Sequence, residues 1–284
     1  MSGFSEHWLS LREPVDHAAI NPELLKQVAA HFAGQADITV TDLGSGSGSS
    51  LRAISPVLPA NQTWRLVDND RLLLDHARRR LSRWADRGYD SGDHLHLVRG
   101  EQQIKVEFKE ADIGARLPQR HVDGAQLVTA SAFFDLTSEA WIKNFCRTLA
   151  ELSAPLYALL TYDGSEVWQP PHPADPDMLR AFHHDQRRDK GFGPAAGPQA
   201  AAQLAKALEE SGYSVRQSPS PWRLDVRHKE LIDALAQGSA QAVAQTGMVR
   251  PAQIASWQSA RRDAASCVVG HADIFGVPIR RAGK

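Results

Sequence analysis

Residues 38–48 carry the feature that most limits what this chain can become. The β-branched run Ile38-Thr39-Val40-Thr41 leads into Asp42, and glycines follow at 44, 46 and 48. A buried strand thus ends in a carboxylate and passes into a loop with almost no side chains. Downstream, Trp64-Arg65-Leu66-Val67 reads as a second strand and closes on Asp68. Strand, glycine loop, helix and a second strand ending in an acid are the parts of a nucleotide-binding half-fold.

The flanking pattern extends that half-fold. Asn21-Pro22-Glu23 is a helix start, with a cap, a proline at the first position and an acid in the first turn, and Leu24, Leu25, Val28 and Phe32 follow at helical spacing. Leu73, Ala77, Leu81 and Trp84 share the face of another helix. Residues 94–109 alternate as a hairpin, and apolar strands follow at 125–130 and 156–160, with a helix between them opened by Thr137-Ser138-Glu139. Alternation of β and α implies a parallel sheet with helices on both faces.

After Gly164 the alternation breaks. Residues 165–197 are rich in proline and hold the dense polar stretch 182–193, which reads as a long functional loop or lid. Helices at 198–211, 228–246 and 251–265 and strands at 213–217 and 266–276 complete the chain, the last expected at or near the sheet edge. The organisation expected is therefore a helical cap at 1–35, an α/β core at 36–164, a lid at 165–197 and a completion of the sheet at 198–284, all in one domain.

Charge decides what the glycine loop holds. A phosphate-cradling loop needs Lys-Ser/Thr after its last glycine, and Ser49-Ser50-Leu51 stands there instead. A dinucleotide loop is G-x-G-x-x-G, and here the third glycine falls one position early. Asp42 would also repel a pyrophosphate and attract a cation. A cofactor with a cationic end and no phosphate fits best.

Asp42-Leu43-Gly44-Ser45-Gly46-Ser47-Gly48, Asp68, Asp112-Ile113 and a fourth strand ending in Ser131 resemble the serial motifs of class I S-adenosylmethionine-dependent methyltransferases. The resemblance covers about residues 36–162 and the closing strand pair. It implies a Rossmann-like, mostly parallel α/β sheet of seven strands with an antiparallel last strand, helices on both faces, and helical N-terminal and insertion segments. It implies S-adenosylmethionine as cofactor and S-adenosylhomocysteine as product. Gly44, Ser45, Gly46 and Gly48 would let the backbone approach the cofactor. Asp42 would hold the methionyl ammonium, directly or through water, and Asp68 both ribose hydroxyls. Asn69 would flank the adenine, Asp112 and Ile113 would bind its edge, and Ala130 and Ser131 would lie beneath the transferring methyl.

A base is needed only where the acceptor must lose a proton. Asp135, Tyr162, Asp163, His183, His184 and Asp185 are the candidates near the strand ends and in the insertion, with catalytic roles expected for His184, Asp185 and Tyr162. The acceptor expected is a small, polar molecule taking the methyl group on oxygen or nitrogen. A protein or RNA methyltransferase is the alternative, followed by an NAD(P)-binding oxidoreductase or a non-catalytic cofactor-binding protein.

Bulk properties remove other classes. A net charge of −1 gives no field to draw nucleic acid or an anionic membrane, although six arginines (71, 78, 79, 80, 83 and 87) crowd one helix. Gln169-Pro170-Pro171-His172 is misplaced for the nucleic-acid amino-methyltransferase motif, which follows strand four. His94 and His96 share a strand face without a third ligand nearby, so no metal is expected. Cys146 and Cys267 have apolar neighbours and read as core residues in a reducing compartment. No run approaches a membrane span, and the N-terminus lacks a secretion signal, so the expectation is a cytoplasmic protein, monomeric or homodimeric.

Overall fold

A computed structural model describes residues 5–114 and 119–279. Residues 1–4, 115–118 and 280–284, which include the outer ends of the expected cap and C-terminal segment, lie outside the described residues. The chain opens with two helices, α1 (Glu6–Ala19) and α2 (Pro22–Phe32). Asn21 caps α2, its side chain accepting from the backbones of Glu23 and Leu24, so the sequence signal acts as read.

The nucleotide-type half-fold follows as β1 (Asp37–Leu43), α3 (Ser49–Ile54), β2 (Asn61–Asp68) and α4 (Arg71–Trp84). Then come β3 (Arg87–Asp90), β4 (His94–Arg99) and β5 (Gln102–Glu110), β6 (Leu127–Ser131), α5 (Glu139–Leu152) and β7 (Leu156–Gln169). The remainder is α6 (Asp175–Gln186), α7 (Ala200–Glu210), β8 (Tyr213–Pro219), β9 (Trp222–Asp225), α8 (Lys229–Thr246), α9 (Pro251–Arg261) and β10 (Ser266–Pro278).

The strands form one sheet in the order β3-β4-β5-β2-β1-β6-β7-β10-β8, with β9 pairing to β10. The pairs β5–β2, β2–β1, β1–β6 and β6–β7 are parallel, whereas β10 runs antiparallel to both β7 and β8. Inside this sheet lies the expected seven-stranded core, β5-β2-β1-β6-β7-β10-β8, with its reversed strand.

Three strands lie outside that core, of which β4, the first strand of the hairpin, was expected. β3 occupies a stretch that reads as a loop, β4 adds the hairpin beyond β5, and β9 docks beside an over-long β7–β10 ribbon. The last strand lies near the edge, as expected: β10 sits between β7 and the edge strand β8. Its composition explains this, because Cys267, Ile274 and Phe275 are buried, as a strand with neighbours on both sides requires.

Alternation along the strands divides the core. Val40 and Leu66 pack with Leu24, Val28, Trp64 and Leu81 on one face, whereas Leu43 and Val67 pack with Trp141, Phe145 and Leu204 on the other. Each such fully buried aliphatic side chain contributes about 1.5–3 kcal/mol. The 165–197 segment is largely ordered secondary structure: β7 runs through its start, and α6 fills its middle. Among the described residues no helix is long and apolar enough to cross a membrane.

Candidate functional site

A cleft of about 510 Å³ opens where β1, β2, β5 and β6 reach their carboxyl ends, the position at which open α/β sheets bind ligands. The volume is that of an ordinary small-molecule site. Its floor is the glycine loop. Gly44, Gly46 and Gly48 all adopt left-handed backbone, with φ of 61°, 49° and 73°. At Gly44 a Cβ would stand 2.7 Å from the Phe133 ring, so a side chain there has neither the dihedral nor the room.

The loop is tied to the end of β2. The Ser45 amide donates to the Val67 carbonyl at 3.1 Å and the Gly46 amide to Asp68 Oδ2 at 2.8 Å. The Asp70 amide donates to Asp68 Oδ1 at 3.0 Å. Each Asp68 oxygen is thereby oriented by a backbone amide. Burial raises the Asp68 pKa, with these amides opposing. Asp70 has a different task, accepting from the Leu72 and Leu73 amides as the cap of α4.

Of the predicted cofactor residues, Gly44, Ser45, Gly46, Asp68, Asn69, Asp112, Ile113 and Ser131 line this cleft together. Asp42, Gly48 and Ala130 do not. Gly48 caps α3 behind the loop, and Ala130 is wholly buried. Asp42 is fully buried too: Oδ1 accepts from the Thr129 hydroxyl at 2.8 Å, and Oδ2 has no hydrogen-bond partner among the described residues. Burial pushes its pKa up to about 7.

Asp112 and Ile113 are held by neighbours. Asp112 Oδ1 accepts from the Gly114 amide at 2.8 Å, and the Ile113 carbonyl accepts from the Trp141 indole at 2.9 Å. At the end of β6, Ala132 takes a left-handed conformation, φ 48°, that a non-glycine residue adopts only under constraint. Its amide is fixed by the Leu159 carbonyl at 3.0 Å.

The expected cap and lid segments each supply a wall, through residues that the sequence did not single out as cofactor ligands. Helix α1 contributes Leu9, Arg12 and Asp16 to the cleft. It is fastened by Glu13, which holds Arg52 through two bonds of 2.8 and 2.7 Å, and Arg52 in turn donates to the Ser47 carbonyl at 2.9 Å. The sequence marks this segment only as a helical cap. The opposite wall comes from the insertion, where Lys190 and Phe192 reach the cleft. Phe192 meets Phe133 and Trp141 edge-on at 5.4 and 5.5 Å.

The three predicted catalytic residues do not line the cleft. His184 is exposed on α6. Asp185 is buried and ion-paired with Arg188 at 3.0 Å and Lys190 at 3.6 Å, so it reaches the cleft only through Lys190. Tyr162 is buried behind the wall, its hydroxyl 3.0 Å from His183 Nε2, and burial raises its pKa.

Other sequence features find local partners. Arg78, Arg79 and Arg80 pair with Asp90, Glu6 and Glu13. His94 faces Glu107 and His96 stacks on Tyr89. Both cysteines are buried and free.

No family model and no curated protein sequence matches the chain. Solved structures do match in fold. The chain is similar to the YcgJ protein of Bacillus subtilis, at 14% identity, covering 92% of this chain and 100% of that one with a TM-score of 0.50. It is similar to a candidate methyltransferase of Bacillus halodurans C-125, at 13% identity, covering 90% and 99% with a TM-score of 0.51. The strand order, the reversed β10 and the glycine loop at the carboxyl edge define the Rossmann-like class I methyltransferase fold.

Proposed function

We propose that this protein is an S-adenosylmethionine-dependent methyltransferase acting on a small polar molecule. The observation that carries the reading is the charge behind the glycine loop. Asp42 is buried, keeps one oxygen unpartnered, and stands on the strand that leads into the loop. A pyrophosphate over that loop would be repelled, whereas a cationic cofactor end would be attracted.

The residues present fit that cofactor. Asp42 would act on the methionyl ammonium across the loop or through water, and Asp68 would accept both ribose hydroxyls. Asn69 would flank the adenine, and Asp112 and Ile113 would take its edge. Gly44, Ser45 and Gly46 would admit the amino-acid part, with Ser131 beneath the methyl and Gly48 and Ala130 supporting the floor. The cofactor supplies an activated methyl group. The protein has to align the acceptor and exclude water.

Helix α1 and the Lys190–Phe192 turn are the groups suited to that exclusion. Lys190 is oriented by Asp185, which gives Asp185 a positioning role. Tyr162, buried behind the wall, and His184, exposed on α6, receive no assigned contact with the reactants.

Titration calorimetry with S-adenosylmethionine, S-adenosylhomocysteine and NAD tests the proposal. The expected result is binding of the first two and none of the third. Binding of NAD alone would overturn it.

A further inference from the structure

The sheet is parallel through β5, β2 and β1, and parallel strands are ordinarily covered on both faces. One face is covered by α4, whose Leu74, Ala77 and Leu81 pack with Trp64, Leu95, Leu97, Ile104 and Val106. The other face is covered at its carboxyl half, where Leu43 and Val67 pack with Val122 and Trp141. Next along the strands, the Thr41 hydroxyl donates to the His121 carbonyl at 3.0 Å and Arg65 to the Asp123 carbonyl at 2.6 Å. Among the described residues, the β5–β6 connection holds only a three-residue helical turn, Gln119–His121, where a crossover helix would usually lie. Beyond that turn the face opens into a groove of about 620 Å³ at the amino ends of β1, β2 and β5.

One row of register partners crosses the groove: Thr39 on β1, Thr63 on β2, Lys105 on β5, His96 on β4 and Tyr89 on β3. Residues directly opposite one another share a face, so these side chains line the groove together. Thr39, Thr63, Lys105 and His96 are half-buried, and Tyr89 is 64% exposed. The Tyr89 and His96 rings are stacked, 4.5 Å apart and inclined by 9°. Four cations share this face. Arg65, Lys105 and Lys109 lie 3.8, 3.9 and 3.6 Å from a single carboxylate, Glu107. Arg87 and Asp37 stand at the two ends of the neighbouring row. Arg65, Arg87, Lys105 and Lys109 thus outnumber Asp37 and Glu107, in a molecule whose net charge is −1. Exposed ring surface beside a surplus of cations suits a ligand that is both flat and anionic. A second copy of the chain would need an apolar centre, whereas the centre of this row is Thr63 and Lys105.

We propose that this groove binds single-stranded RNA, with a base stacked on Tyr89 and the backbone phosphates passing Lys105, Lys109 and Arg65. Lys105 and Lys109 are four residues apart on one strand, about 13 Å, a span that suits a run of phosphates better than a single one. Ring stacking accepts any base, and cations hold phosphates without reading sequence, so the binding is sequence-tolerant and salt-dependent. Thr39, Thr63 and Gln103 also line the groove, as hydroxyl and amide partners for the 2′-hydroxyl that separates RNA from DNA. The cofactor cleft opens at the opposite, carboxyl ends of the same strands, so the inference stands whatever that cleft binds.

The test is fluorescence anisotropy of a labelled oligouridylate of about eight nucleotides, titrated with the full chain at about 50 and 200 mM salt. The strand should bind, and more weakly at the higher salt. The matched oligodeoxyuridylate and uridine monophosphate, added as competitors, should each bind at least fivefold more weakly. Tyr89→Ala should weaken RNA binding at least fivefold, and Tyr89→Phe should keep it, because the ring is what stacks. Lys105→Gln should weaken binding and flatten the log–log salt dependence by about 0.7, one phosphate contact. No binding of the oligouridylate, equal binding of the deoxy strand or the mononucleotide, or parental affinity in both Tyr89→Ala and Lys105→Gln would overturn the assignment. The comparison of probes on the parent protein decides the matter even if a variant does not fold.

Discussion

Asp42 is the residue whose chemistry reaches furthest. Its pKa of about 7 in the fold compares with an ordinary value of 3.8, because burial disfavours its charge. The folded protein therefore binds this proton more tightly than the unfolded chain. Stability is unaffected below pH 3.8 and falls as pH rises through 3.8 to 7, with a total on the order of 4 kcal/mol. Asp42→Asn keeps an oxygen for Thr129 and removes the charge. Urea unfolding should find the variant more stable than the parent at pH 8 and little changed at pH 4, with S-adenosylhomocysteine affinity lowered. An equal stability difference at both pH values would refute the burial argument. Gly44 makes a steric prediction of the same kind. Gly44→Ala meets both a φ of 61° and the Phe133 ring, so it should cost about 1–2 kcal/mol and at least tenfold in S-adenosylhomocysteine affinity, read by calorimetry.

Among the elements, α1 couples folding to the site. Its Glu13 and the Arg52 of α3 form a buried pair, with side chains 9% and 5% exposed, and the same guanidinium holds the Ser47 carbonyl of the loop. Burial alone would raise the Glu13 pKa, but Arg52 and Arg80 bring it below the ordinary range. Breaking one side of such a pair strands a buried charge and costs about 3–5 kcal/mol, whereas replacing both sides with apolar groups costs far less. Glu13→Gln should therefore lower unfolding stability by about 3 kcal/mol. The double variant Glu13→Leu/Arg52→Met should recover most of that stability but not the cofactor affinity, because Ser47 has lost its donor. Recovery of both would show that the clamp does not shape the loop. Elements of this kind explain what a sequence hides. The caps at Asn21 and Ser138 and the apolar periodicity of α4 are local, and they were legible. The pairing of Glu13 with Arg52 joins residues far apart in sequence and leaves no local trace. β3 was unreadable for a related reason: all four of its residues are exposed, so no alternation marks it.

The same distinction holds for the whole molecule. The parallel half of the sheet and the motifs at its carboxyl edge follow from strand runs and short spacings, and eight of the predicted cofactor residues line the cleft there together. The cleft's walls are assembled from α1 and the insertion, and Arg12 and Lys190 acquire meaning only once these segments meet across it. The insertion itself is anchored away from the cleft. Fully buried Arg261 packs beside both the Trp168 and Trp257 rings at 5.2 and 5.3 Å, bonds the Pro170 carbonyl at 2.7 Å and pairs with Asp175 at the start of α6. At its other end the segment meets Gly114, just beyond β5, at a tight point. A Cβ on Gly114 would fall 2.3 Å from the Gly191 carbonyl, a backbone atom that cannot rotate away as a side-chain tip could. Gly114→Ala must therefore push the 189–193 turn outward, while the Arg261 anchor keeps α6 in place. If that turn closes the cofactor cleft, stopped-flow displacement should show S-adenosylhomocysteine leaving at least tenfold faster from the variant, with the unfolding free energy lowered by no more than about 1–3 kcal/mol. An unchanged dissociation rate in a folded variant would mean that Phe192 and Lys190 border the cleft without enclosing its ligand.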